Sequence, residues 1–432
     1  MTENAAGPRV LSQPDATQSG RLRPDPPVML KRALGLWLLV FYGLGTIVGA
    51  GIYVLVGEVA GKAGMATPLA FLLAGALAAL TGLCYADLSG RFPEAAGASA
   101  YVSEGFGSPF LSRLVGFIVL VTGLIIAASL ARGAAGYVET FFALPEPVIA
   151  GAFVIAFTAI ACLGVRESVG IASVMTIVEL GGLALVVTAA APGLADLPQH
   201  WRELVPSTSA GWIGTGTGAF LAFFAFMGFE SLANMGDEAR DASRTLPRAI
   251  LLAIVIATVA YVSVALVAVF AVPVETLAKS SAPLTLVAAS SGWPIAEIMS
   301  VIALLAVPGG ILIDVVMTSR LLYGMARRRL LPRWLGQVQR GSQVPLAATL
   351  VSGGLTFVLA VGVPFGGLVT ATSSLTLLVF LAVNLSLWRL QRRDVGGRRI
   401  PAGFRAPRWV APLAAILSLT LIAAEIGSRL LG

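Results

Sequence analysis

Beyond its first thirty residues the chain is a succession of long apolar runs separated by short polar segments. Runs of 18 residues or more fall at about 34–58, 66–88, 110–142, 147–164, 170–192, 212–236, 248–272, 293–326, 345–363, 367–389 and 409–430. Coiled as helices, such runs match a hydrocarbon core roughly 30 Å thick. The pattern predicts an all-α membrane protein of about 11 transmembrane helices. No ten-residue alternation of apolar and polar positions recurs, which argues against a β-barrel. Residues 1–33 hold prolines at 8, 14, 24, 26 and 27 and few apolar groups before Val28, and predict a disordered tail. The first apolar run is too long for a signal-peptide core and lacks an A-x-A cleavage site, so it is expected to stay.

Composition agrees: 57% of the 432 residues are hydrophobic and 12% charged, about half the charge of a soluble domain. The net charge of +7 reports topology. With the N-terminus placed inside, 24 of the 29 Lys and Arg residues fall in inside segments and four outside, with Arg132 within a span. The positive-inside rule produces that asymmetry. It predicts a multi-pass cell-membrane protein with a cytoplasmic N-terminus, an extracellular loop at 193–211 and a basic cytoplasmic loop at 391–408. The bilayer is then a partner and nucleic acid is not. Cys84 and Cys162 lie inside apolar runs and His200 stands alone, so neither a metal site nor a cofactor is expected.

Two runs carry glycines where a spanning helix should not. The first reads GLGTIVGAGIY from Gly43 and the sixth FFAFMGFES from Phe223. An interior glycine costs a helix about 1 kcal/mol relative to alanine, and unpaired backbone survives in a membrane only beside a cavity or inside protein. Gly49 and Gly228 stand 179 residues apart, with five spans counted from each. An odd number of spans inverts the second unit. The expected architecture is a five-plus-five inverted repeat with discontinuous helices 1 and 6. Its units are 34–192 and 212–390, with an additional helix at 409–432. Unwinding at Gly49, Ala50 and Gly51 would free amides for a carboxylate at the start of a half-helix. Carbonyls of Ile47 and of the Phe224–Met227 stretch would suit an ammonium, and the two together suit an α-amino acid. Taken singly, Gly45-x-x-x-Gly49 also reads as a helix-packing motif.

Five stretches, GLGTIVGAGIY, YADLSGRFPEAAGASAYVSEGFG, GVRES, FFAFMGFESLANMGDEARDASRTLPRAI and VMTSRLLYGMARRRLLP, resemble the amino acid–polyamine–organocation superfamily of permeases. The resemblance covers residues 34 to about 390. It implies an amino-acid transporter that works by alternating access. By position it implies that Ile47, Ala50 and Gly51 meet the amino and carboxylate groups of the substrate. It likewise implies that Phe224 closes over the substrate, that Met227 touches it, and that Glu230 links protonation to conformational change. The chain departs from the pattern at Glu179, where many relatives carry a lysine that replaces a sodium ion. It departs again in VPGGILID, with Pro308 and Asp314 where asparagine and glutamine are frequent, and at Ala242–Ser243 in place of an Asn-Pro pair.

Glu179, Glu230, Asp314 and Arg132 all fall within predicted spans. An ionised group at mid-bilayer costs roughly 2.5–3.5 kcal/mol on the mildest scale, so each needs a reason to be there. A carboxylate that gains and loses a proton is one reason, and Glu179 and Glu230 are the candidates for proton coupling. Glu179 fits an ion pair with an arginine equally well, and Asp314 a solvated lining role. Arg132 fits snorkelling or a carboxylate partner. Sodium is the alternative coupling ion, although Val301–Met317 has no serine or threonine to ligate it. Ile47, Phe224, Phe226 and Met227 suggest a small or apolar substrate side chain, while Asp314 could admit a cationic one. Neither H-E-x-x-H nor G-x-S-x-G occurs, which counts against an intramembrane enzyme. An exchanger and a channel remain as further alternatives.

Overall fold

A computed structural model describes residues 29–48, 50–139, 144–280, 282–290, 295–363, 372–394 and 403–431. The apolar runs are helical. Among the described residues, seven helical stretches are long and apolar enough to cross a membrane, and four shorter apolar helices accompany them. In chain order the helices are α1 (Leu36–Ile47), α2 (Ala50–Ala63), α3 (Thr67–Arg91), α4 (Gly97–Phe106), α5 (Pro109–Glu139), α6 (Glu146–Ala161) and α7 (Val165–Ala190). They continue with the single turn α8 (Leu197–His200), α9 (Ser209–Phe224), α10 (Ala242–Ala271), and the short α11 (Val274–Lys279) and α12 (Pro283–Ser290). Last come α13 (Ile295–Arg327), α14 (Leu346–Gly362), α15 (Thr372–Asp394) and α16 (Val410–Leu431).

The first span is divided into α1 and α2. The sixth is divided into α9 and a 3-10 helix over Phe229–Met235. These two spans run antiparallel. Leu34, just before α1, bridges Ala239, just past the 3-10 helix, through Leu34 N–H to Glu238 O at 3.0 Å and Arg240 N–H to Leu34 O at 2.8 Å. At the opposite face, a side chain on Gly214 of α9 would run into the Lys62 carbonyl at the end of α2. Between these two entries lie α3, α5, α6 and α7, so each interrupted span heads a unit of five and the second unit is inverted.

Small residues let the helices close on one another, since tails of lipid supply no hydrophobic drive between spans. Gly75 and Gly82 of α3 lie against Thr258 and Ile254 of α10. Polar anchors complete the frame. Asn384 donates to Thr81 Oγ1 at 3.3 Å and to Ser418 Oγ at 3.2 Å, which ties α15 to α3 and α16. Arg91 sits between Asp87 and Asp394, and Asp87 also accepts the Ala406 amide at 2.9 Å. Arg132 pairs with Glu146 at 3.2 Å. It also caps the end of α14, donating to Ala360 O at 2.7 Å and Val361 O at 3.1 Å. Those carbonyls lack intrahelical partners and carry the negative end of the helix dipole. Of the two expectations for Arg132, the carboxylate partner is the one found.

Near the arginine-rich face, Arg320 of α13 and Glu238 are both fully buried and paired at 3.0 Å. Ser319 Oγ accepts a further guanidinium N–H. This pair lies directly beside the Leu34–Ala239 bridge. The ten-residue helix α4 is a buried element that hydropathy does not reveal. It is too short for a spanning window, yet most of it is buried.

Candidate functional site: a cavity between two broken helices

The break in the first span follows from Val48 and from what lies beyond it. Val48 N–H still bonds Leu44 O at 2.7 Å, and α2 restarts at Ala50. The first amides of α2 have no intrahelical acceptor. Gly49, expected at the centre of the break, lies outside the described residues, and Ala50 opens α2.

The second break is a run of tight turns in which Ala225, Phe226 and Met227 N–H bond back three residues to Ala222, Phe223 and Phe224. Gly228 then takes φ 123°, a conformation open to glycine and closed to residues with a Cβ. A Cβ there would collide with the Thr46 carbonyl, so the two breaks are in direct contact. Gly51 reports the same closeness: its Cβ would lie 3.2 Å from Ala225 Cα.

A cavity of about 280 Å³ opens beside this junction. Of the expected site residues, Ile47, Gly51, Phe224, Met227 and Gly228 line it, together with Glu179, Glu230 and Asp314. Glu179 comes from α7 and Asp314 from α13, and both are buried, 4% and 7% exposed. Glu230 is half-buried and accepts the Gly228 N–H at 2.8 Å. None of these three carboxylates takes part in an ion pair among the described residues. The arginine partner considered for Glu179 is therefore not found there. Among the described lining residues there is no Lys, Arg or His.

Other lining residues were not singled out from sequence. Thr122 Oγ1 of α5 and Asn234 Oδ1 of the 3-10 helix are buried at the wall without a hydrogen-bond partner. Thr46, Ser231 and Thr376 line it as well, and Ile126, Leu130 and Met317 add apolar surface. Phe224 packs edge-on against Phe220 with centroids 5.2 Å apart. Phe226, grouped with the pocket by sequence, turns away from it. Its ring lies fully buried against Tyr261 at 5.0 Å. Tyr261 of α10 is the residue that sequence reading passed over. It is fully buried, and its hydroxyl lies 2.8 Å from Ile47 O and 3.0 Å from Ala225 O, one carbonyl from each break. The Ile47 carbonyl, expected to be free for an ammonium, already accepts a hydrogen bond. The available signal was the one tyrosine of a long, mostly apolar helix, since a buried phenol needs a partner.

A family model described as amino acid permease matches residues 34–428. An uncharacterized transporter of Mycobacterium tuberculosis is 31% identical over 406 residues, 92% of this chain and 87% of the relative. The branched-chain amino acid permease BcaP of Bacillus subtilis is 26% identical over 422 residues, 92% and 89% of the two chains. Cationic amino acid transporter 9, chloroplastic, of Arabidopsis thaliana is 32% identical over 352 residues, 76% of this chain and 61% of that one. The solved structure of MhsT in complex with L-phenylalanine superposes with a TM-score of 0.62 at 15% identity. That match covers 91% of this chain and 99% of the other and speaks for the fold alone. The interrupted first and sixth spans, their inverted order and the length of the family match agree, and the chain belongs to the amino acid permease family of transporters.

Proposed function

We propose that the protein is a secondary-active amino-acid transporter that binds its cargo in the cavity between the two breaks and alternates access to it. The observation that carries this reading is the meeting of two interrupted spans at one cavity walled by helices of both units. The start of α2 offers main-chain amides, and a helix N-terminus suits a carboxylate. Gly49, Ala50 and Gly51 are assigned to that end of the substrate. Ile47, Phe224, Met227 and Gly228 are assigned to its amino group and side chain.

Proton coupling is the further part of the proposal. A buried carboxylate without a cationic partner is expensive while charged, so it gains or loses a proton as water reaches it. Glu179 and Glu230 are the proposed carriers, with Asp314 as the third acidic wall group. Sodium is the rival ion. The arginine asymmetry supports a cell-membrane location with the arginine-rich face cytoplasmic.

For the cargo, the apolar wall favours a small or apolar side chain. Three carboxylates with no cation among them favour a second reading, a cationic side chain. Uptake of labelled Leu, Val, Ala, Phe, Lys and Arg into liposomes, under an imposed proton or sodium gradient, separates these readings. Gly51→Leu should abolish uptake in protein that still inserts and purifies; unchanged uptake would overturn the site. Glu179→Gln and Glu230→Gln, tested singly, should reduce accumulation driven by a pH gradient. If both retain it in full, the proton assignment is wrong.

A further inference from the structure

The Tyr261 hydroxyl stands where three helices meet, behind the cavity rather than in its wall. It belongs to the unbroken α10, yet its two acceptors belong to the two broken spans, Ile47 O at 2.8 Å and Ala225 O at 3.0 Å. The ring makes edge contacts with Phe71 at 5.9 Å and Phe226 at 5.0 Å. Phenylalanine would make those same ring contacts, so packing accounts for the ring and leaves the hydroxyl unexplained. The hydroxyl has a purpose of its own in hydrogen-bonding terms.

A phenol has one hydrogen to donate and here faces two carbonyl oxygens, each with two lone pairs. Shared in this way, the hydrogen fixes the direction of both carbonyls and exhausts neither. The peptides that carry these carbonyls are held within α1 and α9 on their amide side alone, by Val48 N–H to Leu44 O at 2.7 Å and Phe226 N–H to Phe223 O at 3.0 Å, so the bond that fixes the carbonyl side comes from Tyr261. We propose that Tyr261 is a positioning residue, which presets one carbonyl from each break to receive the amino group of the cargo. This rests on the transport reading given above. Ile47 and Ala225 both line the cavity, so acceptors held from behind by Tyr261 serve a ligand arriving from the front. An ammonium that bonds one of them leaves the hydroxyl free to give its hydrogen wholly to the other. Acceptors already oriented spare the ligand the work of ordering them. The same hydroxyl ties both breaks to α10, so the two halves of the site keep their spacing.

The test is Tyr261→Phe in the full chain, reconstituted in liposomes. The tracer is the amino acid that the wild type takes up best among Leu, Val, Ala, Phe, Lys and Arg. The competitor is its des-amino carboxylate, for example 4-methylpentanoate for leucine. In the wild type the amino acid should compete far better than the des-amino compound. In Tyr261→Phe the KM should rise about 10- to 100-fold, the scale for a lost hydrogen bond that leaves a buried group unsatisfied, with Vmax changed less. The preference for the amino compound should shrink by at least about tenfold on the same grounds. A purely structural role would lower thermal stability and Vmax and leave that preference intact, which would overturn the proposal. 4-Aminophenylalanine at position 261 keeps the ring and offers two N–H donors, so the preference should return. Its collapse in that folded variant would equally overturn the proposal. Failure of the wild type to take up any of the six amino acids would instead overturn the transport reading.

Discussion

Gly228 lies against Thr46 and Gly51 against Ala225 at the junction of the two breaks, and alanine at each should behave very differently. At 228 the backbone sits at φ 123°, and holding an L-residue in such a region costs about 1–3 kcal/mol. The added Cβ would also fall 2.6 Å from the Thr46 carbonyl carbon and 3.0 Å from Thr46 Cβ. The first is main chain and cannot swing aside. It precedes Ile47, whose carbonyl is held by Tyr261, so relief by shifting α1 would strain that hydrogen bond, itself worth roughly 1 kcal/mol. The combined destabilisation for Gly228→Ala is about 2–4 kcal/mol. At 51 the Cβ would lie 3.2 Å from Ala225 Cα and 3.4 Å from Ala225 Cβ. That contact is relieved by a few tenths of an ångström, and the gain in helix propensity offsets it, up to about 1 kcal/mol. Gly51→Ala should therefore change stability by less than about 1 kcal/mol. The assay is thermal unfolding in detergent, read by a thiol-reactive dye on buried Cys84 in a Cys162→Ala background. With an unfolding entropy of about 2.1 cal/mol/K per residue, 432 residues give roughly 1 °C per kcal/mol. Gly228→Ala should lower Tm by about 2–4 °C and Gly51→Ala by about 1 °C or less. Equal melting of the two variants would refute the account of the junction.

Other substitutions test the frame around the site. Glu238→Ala strands the fully buried Arg320 guanidinium and should cost about 3–5 kcal/mol. Adding Arg320→Met should recover most of it, and a double variant no more stable than the single one would show the two do not act as a pair. Arg132→Met removes the cap on Ala360 O and Val361 O and should destabilise by about 1–3 kcal/mol. Arg132→Lys should restore less than half, because an ammonium cannot reproduce the planar fork; full rescue by lysine would contradict the cap. A water-soluble maleimide should label half-exposed Cys162 and spare Cys84 until the protein is unfolded, as mass spectrometry would show.

Much of this was legible in the chain. Apolar run lengths gave the spans, because a helix must match the bilayer, and Gly51 and Gly228 lie beside the two interruptions. The eighth run, expected at 293–326, is the helix Ile295–Arg327. Three kinds of feature escaped. The helix over Gly97–Phe106 is shorter than any spanning window, and its burial depends on neighbours distant in sequence. Phe226 reads as a pocket residue by its place between Phe224 and Met227, but a tight turn throws its ring to the other side. The Tyr261 hydroxyl meets Ile47 across 214 positions, a pairing that no local pattern encodes. The hydrophobic pattern reports what faces lipid, and the polar partners inside a bundle are decided by tertiary packing.

The bridge between Leu34 and Ala239 has a bearing on how the polypeptide is made. Helix α1 is only 12 residues long, too short to be secure by itself in a bilayer. The partner of Leu34 just before it, Ala239, and its own partners Tyr261 and Ile313 belong to segments synthesised long after it. The contact between Tyr42 and Ile313 therefore cannot form until the 271 positions that separate them have been made. Tethering of that opening segment by the late-arriving repeat is what turns a string of inserted helices into one machine.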